Sequence, residues 1–254
     1  MPQNASDRPQ RLFEAQTGRG SERASYVRQM FGEISGRYDL MNTLMTVGRH
    51  HAWRRIAARA LVRPGDRIVD VGCGTGDLSF ACLEAGAGEV TGLDFAPPMV
   101  ARSREKAAQR GAAVARSAAF AVADATKLPL DDASVDGWCS AFVVRNIPDL
   151  DAALAEAYRV LRPGGRLAVL EIPRMDRGLL RPFARAHFQH VIPRLGRLIS
   201  GHRSAYTYLP VSVDHFLTPA EFSAVLDGAG FEVTQLRRLM FGTVVLHVAE
   251  KREA

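Results

Sequence analysis

Arg67-Ile68-Val69-Asp70-Val71-Gly72-Cys73-Gly74-Thr75-Gly76-Asp77-Leu78-Ser79-Phe80 is the stretch on which the fold turns. Ile68 to Val71 has the length and apolar character of a buried parallel strand. Gly72, Gly74 and Gly76 supply a turn, and a helical pattern starts at Asp77. Strand, glycine turn and helix together set a helix N-terminus at the carboxyl end of a strand, where doubly wound α/β sheets bind nucleotide-like ligands.

The spacing is G-x-G-x-G, not the G-x-G-x-x-G of dinucleotide enzymes. Glycines let a ligand approach the backbone without meeting a Cβ. Asp70, just before the turn, is a poor neighbour for a pyrophosphate. It suits a ligand that is cationic or donates hydrogen bonds, and S-adenosylmethionine, with its ammonium, sulfonium and ribose hydroxyls, meets that description.

Downstream, strand and helix patterns alternate. Glu89 to Asp94 reads as a second strand, and Asp94 lies about 20 residues beyond the glycine turn, where an acidic side chain accepts hydrogen bonds from ribose hydroxyls. A helix is expected over 97–110, then a third strand over 119–123. Asp124-Ala125 closes that strand; Asp124 either meets an adenine amino group or caps its own loop. A fourth strand over 134–142 carries Ser140 and leads into Val143-Val144-Arg145-Asn146-Ile147-Pro148-Asp149. A helix over 150–161 ends at the stop signal Arg162-Pro163-Gly164-Gly165, and 166–171 is the fifth strand. Residues 174–217 are rich in arginine and aromatic side chains and read as a helical insertion on the substrate side. Thr218-Pro219-Ala220-Glu221 has the form of a capping box. Two antiparallel strands, 231–239 and 243–250, finish the chain. The fold class is α/β: a doubly wound, mostly parallel, seven-stranded sheet with helices on both faces.

Upstream, residues 1–24 are polar and read as a disordered tail. Residues 25–62 carry two apolar helical patterns, one from Tyr26 and one over 50–60, and are expected to form a lid over the carboxyl end of the first strand. The whole of 25–254 is expected to be one domain. The net charge of +6 permits nucleic acid, an anionic membrane or an acidic substrate and selects none of them. No apolar run approaches the ~18–20 residues that span a bilayer. Cys73, Cys82 and Cys139 are scattered and read as small buried residues of a cytoplasmic protein.

Val69-Asp70-Val71-Gly72-Cys73-Gly74-Thr75-Gly76, Asp94, Asp124-Ala125 and Val160-Leu161-Arg162-Pro163-Gly164-Gly165, in that order, resemble the Class I S-adenosylmethionine-dependent methyltransferases. Tyr38-Asp39-Leu40-Met41-Asn42, then Gly48, His50 and Trp53-Arg54-Arg55, are similar to the N-terminal signature of the ubiquinone/menaquinone biosynthesis C-methyltransferases, a family that includes the demethylmenaquinone methyltransferases. Arg145-Asn146-Ile147-Pro148-Asp149 and Tyr206-Thr207-Tyr208-Leu209 are similar to two further signatures of that family. The resemblance runs from about Tyr26 to Lys251. Val143-Val144 departs from the family's usual Gly-Leu, and Gly201 to Ser204 and Pro210 to His215 depart too.

The resemblance implies S-adenosylmethionine contacts at Thr75, Asp94, Asp124, Ala125 and Ser140, beside the turn residues Asp70, Gly72, Gly74 and Gly76. It implies C-methylation of a polyprenylated quinol, with Arg145, Asn146, Tyr38 and His50 as candidate catalytic groups. An arginine is not deprotonated in proteins, so Arg145 is expected to stabilise a phenolate. A purely structural Arg145 would instead pair with a carboxylate such as Asp149. Met41, Met45 and Phe142 are expected to line a dry pocket, and His51 to sit on the surface. No metal and no nucleic-acid partner are expected; a homodimer and contact with the inner face of the membrane are open. The rival readings are a methyltransferase acting on another small molecule or on RNA, an NAD-dependent oxidoreductase and a non-catalytic cofactor-fold protein.

Overall fold

The structure is a computed structural model that describes residues 21–174 and 203–252. Three helices, α1 (Ser21–Ile34), α2 (Tyr38–Thr46) and α3 (Arg49–Leu61), precede strand β1 (Arg67–Val71). There follow α4 (Asp77–Glu84), β2 (Glu89–Asp94), α5 (Pro97–Gln109), a short α6 (Ala112–Ser117), β3 (Ala118–Val122), β4 (Val135–Ala141), α7 (Leu150–Val160) and β5 (Leu161–Glu171). The described chain closes with α8 (Arg203–Asp214), α9 (Pro219–Gly228), β6 (Phe231–Leu239) and β7 (Val244–Lys251).

The seven strands form one sheet in the order β3-β2-β1-β4-β5-β7-β6. The first five are parallel, and β7 enters antiparallel between β5 and β6. The chain winds outward from β1 to β3, then returns to lay β4 on the other side of β1. That reversal opens a crevice at the carboxyl ends of β1 and β4.

Alternation along the strands divides the core in two. Val69 and Val71 of β1 face Trp138, Leu154, Leu167, Phe222 and Leu226 under α7 and α9. Ile68 faces the other way, onto Trp53, Ala57 and Leu61 of α3 with Cys139, Ala168 and Leu246. Strands buried on both faces read as near-continuous apolar runs, which is why β1, β4 and β5 are plain in the sequence. Side-chain caps start two of the helices. The Asp149 carboxylate accepts from the Ala152 N–H at the head of α7, and Thr218 with Glu221 forms the expected capping box on α9.

Several boundaries differ from the sequence reading. The stretch expected as a lid, 25–62, has three helices rather than two, because Gly48, with φ at 71°, ends α2 and starts α3 without a break in apolar pattern. Helix α1 begins at Ser21, inside the expected tail. The stop signal after α7 lies within β5: Leu161 pairs with Val135, and the register shifts before Gly137 pairs with Arg166. Arg162 to Gly165 therefore form a bulged start to the strand. The three cysteines are buried and free, as expected. The expected tail up to residue 20 and most of the expected insertion, 175–202, lie outside the described residues.

Candidate active site

The glycine turn hangs from the end of β2. Gly72 and Cys73 donate their N–H groups to the Leu93 carbonyl at 2.7 and 3.0 Å, and Gly74 donates to Asp94 Oδ2 at 2.8 Å. Gly72 has φ at +71°. A Cβ there would be strained and would collide with the Val143 side chain, so the turn brings backbone and the β4 exit into direct contact. A Cβ at Gly76 would meet the Phe80 ring at 2.9 Å, so that glycine answers to packing as much as to a ligand.

Beside the turn lies a cleft of about 260 Å³, walled by Val71, Gly72, Asp94, Phe95, Asp124, Ala125, Val143 and Asn146. It sits in the crevice set by the strand order. Five sequence candidates thus meet on one cavity: Gly72, Asp94, Asp124, Ala125 and Asn146. Asp94 is fixed by the backbone on both oxygens, since Oδ1 accepts from Ala96 N–H at 2.9 Å. Burial raises its pKa against the pull of those two donors. Asp124 Oδ1 accepts from the Thr126 N–H and hydroxyl, so it caps its loop and also faces the cleft; the two readings coexist.

Asp70 lies buried beneath the turn. Its Oδ2 accepts from the Ser79 hydroxyl at 2.6 Å, while Oδ1 has no hydrogen-bond partner among the described residues. Burial pushes its pKa up to about 7, against the Ser79 hydrogen bond and the Arg54 charge, which pull it down. A carboxylate with one orphaned buried oxygen is costly unless a donor or cation completes it.

Helix α2 is tied across the turn. Thr75 Oγ donates to Asp39 Oδ1 at 2.6 Å, and Lys106 Nζ reaches Asp39 at 3.0 Å, Thr75 at 3.1 Å and Asp77 at 2.6 Å. Thr75 is 2 % exposed and is not on the cleft wall. The Tyr38 ring stands over Gly74, and burial raises its phenol pKa above the usual range.

Three expectations are redirected. The His50 ring sits between Arg54 Nη1, 2.6 Å from Nδ1, and Thr43 Oγ1, 3.2 Å from Nε2. Thr43 donates its own proton to the Asp39 carbonyl, so His50 donates from Nε2 and accepts at Nδ1. Burial and Arg54 lower its pKa to about 4, and its neutral ring pins α2 to α3 rather than facing the cleft. Ser140 donates to the Val71 carbonyl at 2.7 Å, which stitches β4 to β1 and turns the hydroxyl away from the cavity. Met41 packs with Val27, Met30 and Tyr208, Met45 packs on the edge of that cluster, and Phe142 packs on Trp53 and under Arg54; none of the three walls the cleft. His51 is half exposed, as expected.

Arg145 is 8 % exposed and pairs with Glu171, not with Asp149, whose carboxylate is committed to the α7 cap. Nη1 meets Glu171 Oε1 at 2.5 Å and the Phe142 carbonyl at 2.7 Å, and Nε donates to Ser212 Oγ at 3.3 Å. Glu171 Oε1 also accepts the Ile172 N–H at 2.8 Å. Burial raises the Glu171 pKa while Arg145 pulls it down. Asn146, on the cleft wall, accepts from the Tyr208 hydroxyl at 3.0 Å, so α8 buttresses the Arg-Asn pair. Glu171, Lys106 and Asp39 were not among the sequence candidates. Only Asp39 carried a signal, its place in the Tyr-Asp-Leu-Met-Asn string.

The donor set fits S-adenosylmethionine: an orphaned carboxylate oxygen for a cation, a fixed carboxylate at the end of β2 for ribose hydroxyls, and a turn whose 72 position admits no Cβ. Comparison with known proteins points the same way. The model of the ubiE/COQ5 methyltransferase family matches residues 18–251. A demethylmenaquinone methyltransferase of Thermus thermophilus is 46 % identical over 224 residues, covering 87 % of this chain and 100 % of its own length. A ubiquinone/menaquinone biosynthesis C-methyltransferase of Brucella anthropi is 38 % identical over 232 residues, covering 89 % and 88 %. Among solved structures, an S-adenosylmethionine-dependent methyltransferase of Aquifex aeolicus matches with a TM-score of 0.60 at 19 % identity, over 84 % of this chain and 97 % of that one. The [4+2]-cyclase SpnF matches with a TM-score of 0.67 at 17 % identity, over 90 % and 96 %. A cyclase and a methyltransferase on one backbone mean that the structural likeness speaks for the fold alone.

Proposed function

Because the chain belongs to the ubiE/COQ5 methyltransferase family, we propose that it methylates a ring carbon of a polyprenylated quinol, using S-adenosylmethionine, in respiratory quinone biosynthesis. The substrate is demethylmenaquinol, the ubiquinone-pathway benzoquinol, or both. The observation that carries the reading is the extent of the family match, 18–251, together with the cleft that Asp94, Asp124 and Asn146 share.

When bound, S-adenosylmethionine supplies an electrophilic methyl group on a sulfonium. Asp70 Oδ1 would hold the ammonium, Asp94 the ribose hydroxyls, and Asp124 with Ala125 the adenine edge. A ring carbon becomes nucleophilic as the neighbouring hydroxyl loses its proton to water, and the ring proton that the incoming methyl displaces leaves to water as well. Arg145, fixed by Glu171, favours the phenolate, and Asn146, fixed by Tyr208, orients the ring oxygen. Tyr38 and the α2 helix keep water out of a site in which the sulfonium charge is lost. His50 is a positioning residue of the lid. The pKa of its buried neutral ring, near 4, leaves it no proton-accepting task at neutral pH.

Lipids extracted from a strain lacking the gene test the reading. Accumulation of a quinone short of one ring methyl, restored by the wild-type gene, is the expected result. An unchanged quinone pool would contradict it.

A further inference from the structure

Among the described residues, exposed large apolar side chains gather in two places, apart from Val122 and Leu236, and both places include a strained backbone. Leu40, Leu44 and Val47 are 52, 43 and 86 % exposed and follow one another at four- and three-residue steps, a single stripe along α2 and its exit. Val47 has φ at 51°, an outlier for a β-branched residue. The β6–β7 turn repeats the pattern: Met240 and Phe241, with φ at 44° and 58°, are 39 and 85 % exposed. A backbone cost combined with apolar exposure brings the folded monomer nothing, and such strain marks functional segments.

The two places share one end of the molecule. α2 lies over the glycine turn at the carboxyl end of β1. Glu171, the carboxyl end of β5, pairs with Val245 at the start of β7, which sets the β6–β7 turn on that same edge. The cleft opens there too. The cleft mouth itself carries Asp124 and Asp149, but the exposed charge beside the two apolar places is positive. Arg49, Arg237 and Arg238 are exposed, no acidic residue lies between Glu232 and Glu250, and Asp39, the one acid of α2, is turned into Thr75 and Lys106.

We propose that the α2 stripe and the Phe241 turn form a two-point docking surface for an anionic lipid bilayer, with the apolar side chains entering the headgroup layer and the arginines meeting lipid phosphates. No helix among the described residues is long and apolar enough to cross a membrane, so the contact is peripheral. The docking rests on the quinol reading: it brings the mouth of the cleft to the layer in which a polyprenyl tail resides.

Flotation with phosphatidylcholine vesicles, with and without phosphatidylglycerol, reads the docking without reference to catalysis. Wild-type protein is expected to float with the anionic vesicles only. Val47→Ser/Phe241→Ser is expected to remain at the bottom of the gradient, with its melting temperature and S-adenosylhomocysteine binding retained. Arg237→Ser/Arg238→Ser lowers the partition by about fivefold for each arginine. Methylation of a long-tailed quinol embedded in vesicles then falls in both variants, while that of a short-tailed, water-soluble quinol does not. Wild-type protein that methylates the soluble quinol but floats with neither vesicle overturns the docking and leaves the quinol reading standing. Flotation with no methylation of either quinol overturns the quinol reading instead. Variants that float like wild type overturn this choice of face. A wild-type dimer that Val47→Ser/Phe241→Ser dissociates assigns the face to a second copy of the chain and overturns the lipid proposal.

Discussion

Asp70 is one of three buried carboxylates, with Asp94 and Glu171, on which the proposed chemistry depends. With its pKa near 7 and one oxygen unpartnered, it would have to give up a proton before holding the proposed cation. Affinity for S-adenosylmethionine is therefore expected to rise with pH up to about 7 and to level off above it, with proton release on binding below that point. Calorimetry in buffers of different ionisation enthalpy reads both, and Asp70→Asn should bind about ten- to a hundredfold more weakly with no pH dependence over this range. Glu171 is a second of them. Glu171→Gln leaves the Arg145 charge buried beside a neutral amide, which costs about 3 kcal/mol of stability in this kind of pair. If the pair also serves catalysis, kcat falls at least tenfold while KM for S-adenosylmethionine holds, and Glu171→Asp recovers part of the loss. Unchanged kcat in a folded Glu171→Gln protein would remove Glu171 from the mechanism. Asp70, Asp94 and Asp124 are candidates from the sequence because position at or near a strand end is itself the signal; the structure puts Asp94 and Asp124 on the cleft wall. For Ser140, which the resemblance implies, the strand end locates the residue but does not say that its hydroxyl turns to the Val71 carbonyl.

At the level of elements, the link between α2 and the glycine turn holds the helix against the turn. Lys106 joins Asp39, Thr75 and Asp77 from a third element, α5. Lys106→Met leaves two carboxylates facing each other and is expected to raise hydrogen exchange across 38–46 and to raise KM for S-adenosylmethionine severalfold, with kcat less affected. Exchange unchanged from wild type would show that α2 is held by its apolar contacts alone. This latch was invisible beforehand: Lys106 and Asp39 are 67 residues apart, and nothing in either local string names the other. The capping box at Thr218 and Glu221 was legible because all its parts lie within four residues. The start of β5 was misplaced because Arg162-Pro163-Gly164-Gly165 carries the residues of a helix stop, whereas pairing of Leu161 with Val135 takes the strand back to the end of α7. Helix α6 was missed because its six residues are too few to show a period.

Across the whole molecule, the doubly wound sheet was readable from alternation of apolar runs with helical patterns, and the carboxyl edge from the glycine turn. The side chains that hold Arg145 and Asn146 in place were not, since Glu171, Ser212 and Tyr208 reach them only through the fold. Global stability carries its own pH signature. His50, with its folded pKa lowered to about 4, is neutral in the native state, whereas the unfolded chain takes up a proton below its ordinary value of 6.5. Stability is thus intact above that value and is lost as pH falls from about 6.5 towards 4, by up to about 3 kcal/mol from this residue. His247, also buried with its pKa lowered by burial, adds in the same direction. Denaturant midpoints across that range measure the slope, which His50→Asn should reduce. The central claim is met most directly by incubating the purified protein with methyl-labelled S-adenosylmethionine and a reduced, prenylated demethylnaphthoquinol or the corresponding benzoquinol, then locating the label by mass spectrometry and NMR. The account predicts one labelled methyl on a ring carbon of at least one of the two quinols, with stoichiometric S-adenosylhomocysteine. Label on a hydroxyl oxygen, or none on either quinol while the protein binds S-adenosylhomocysteine, would contradict it.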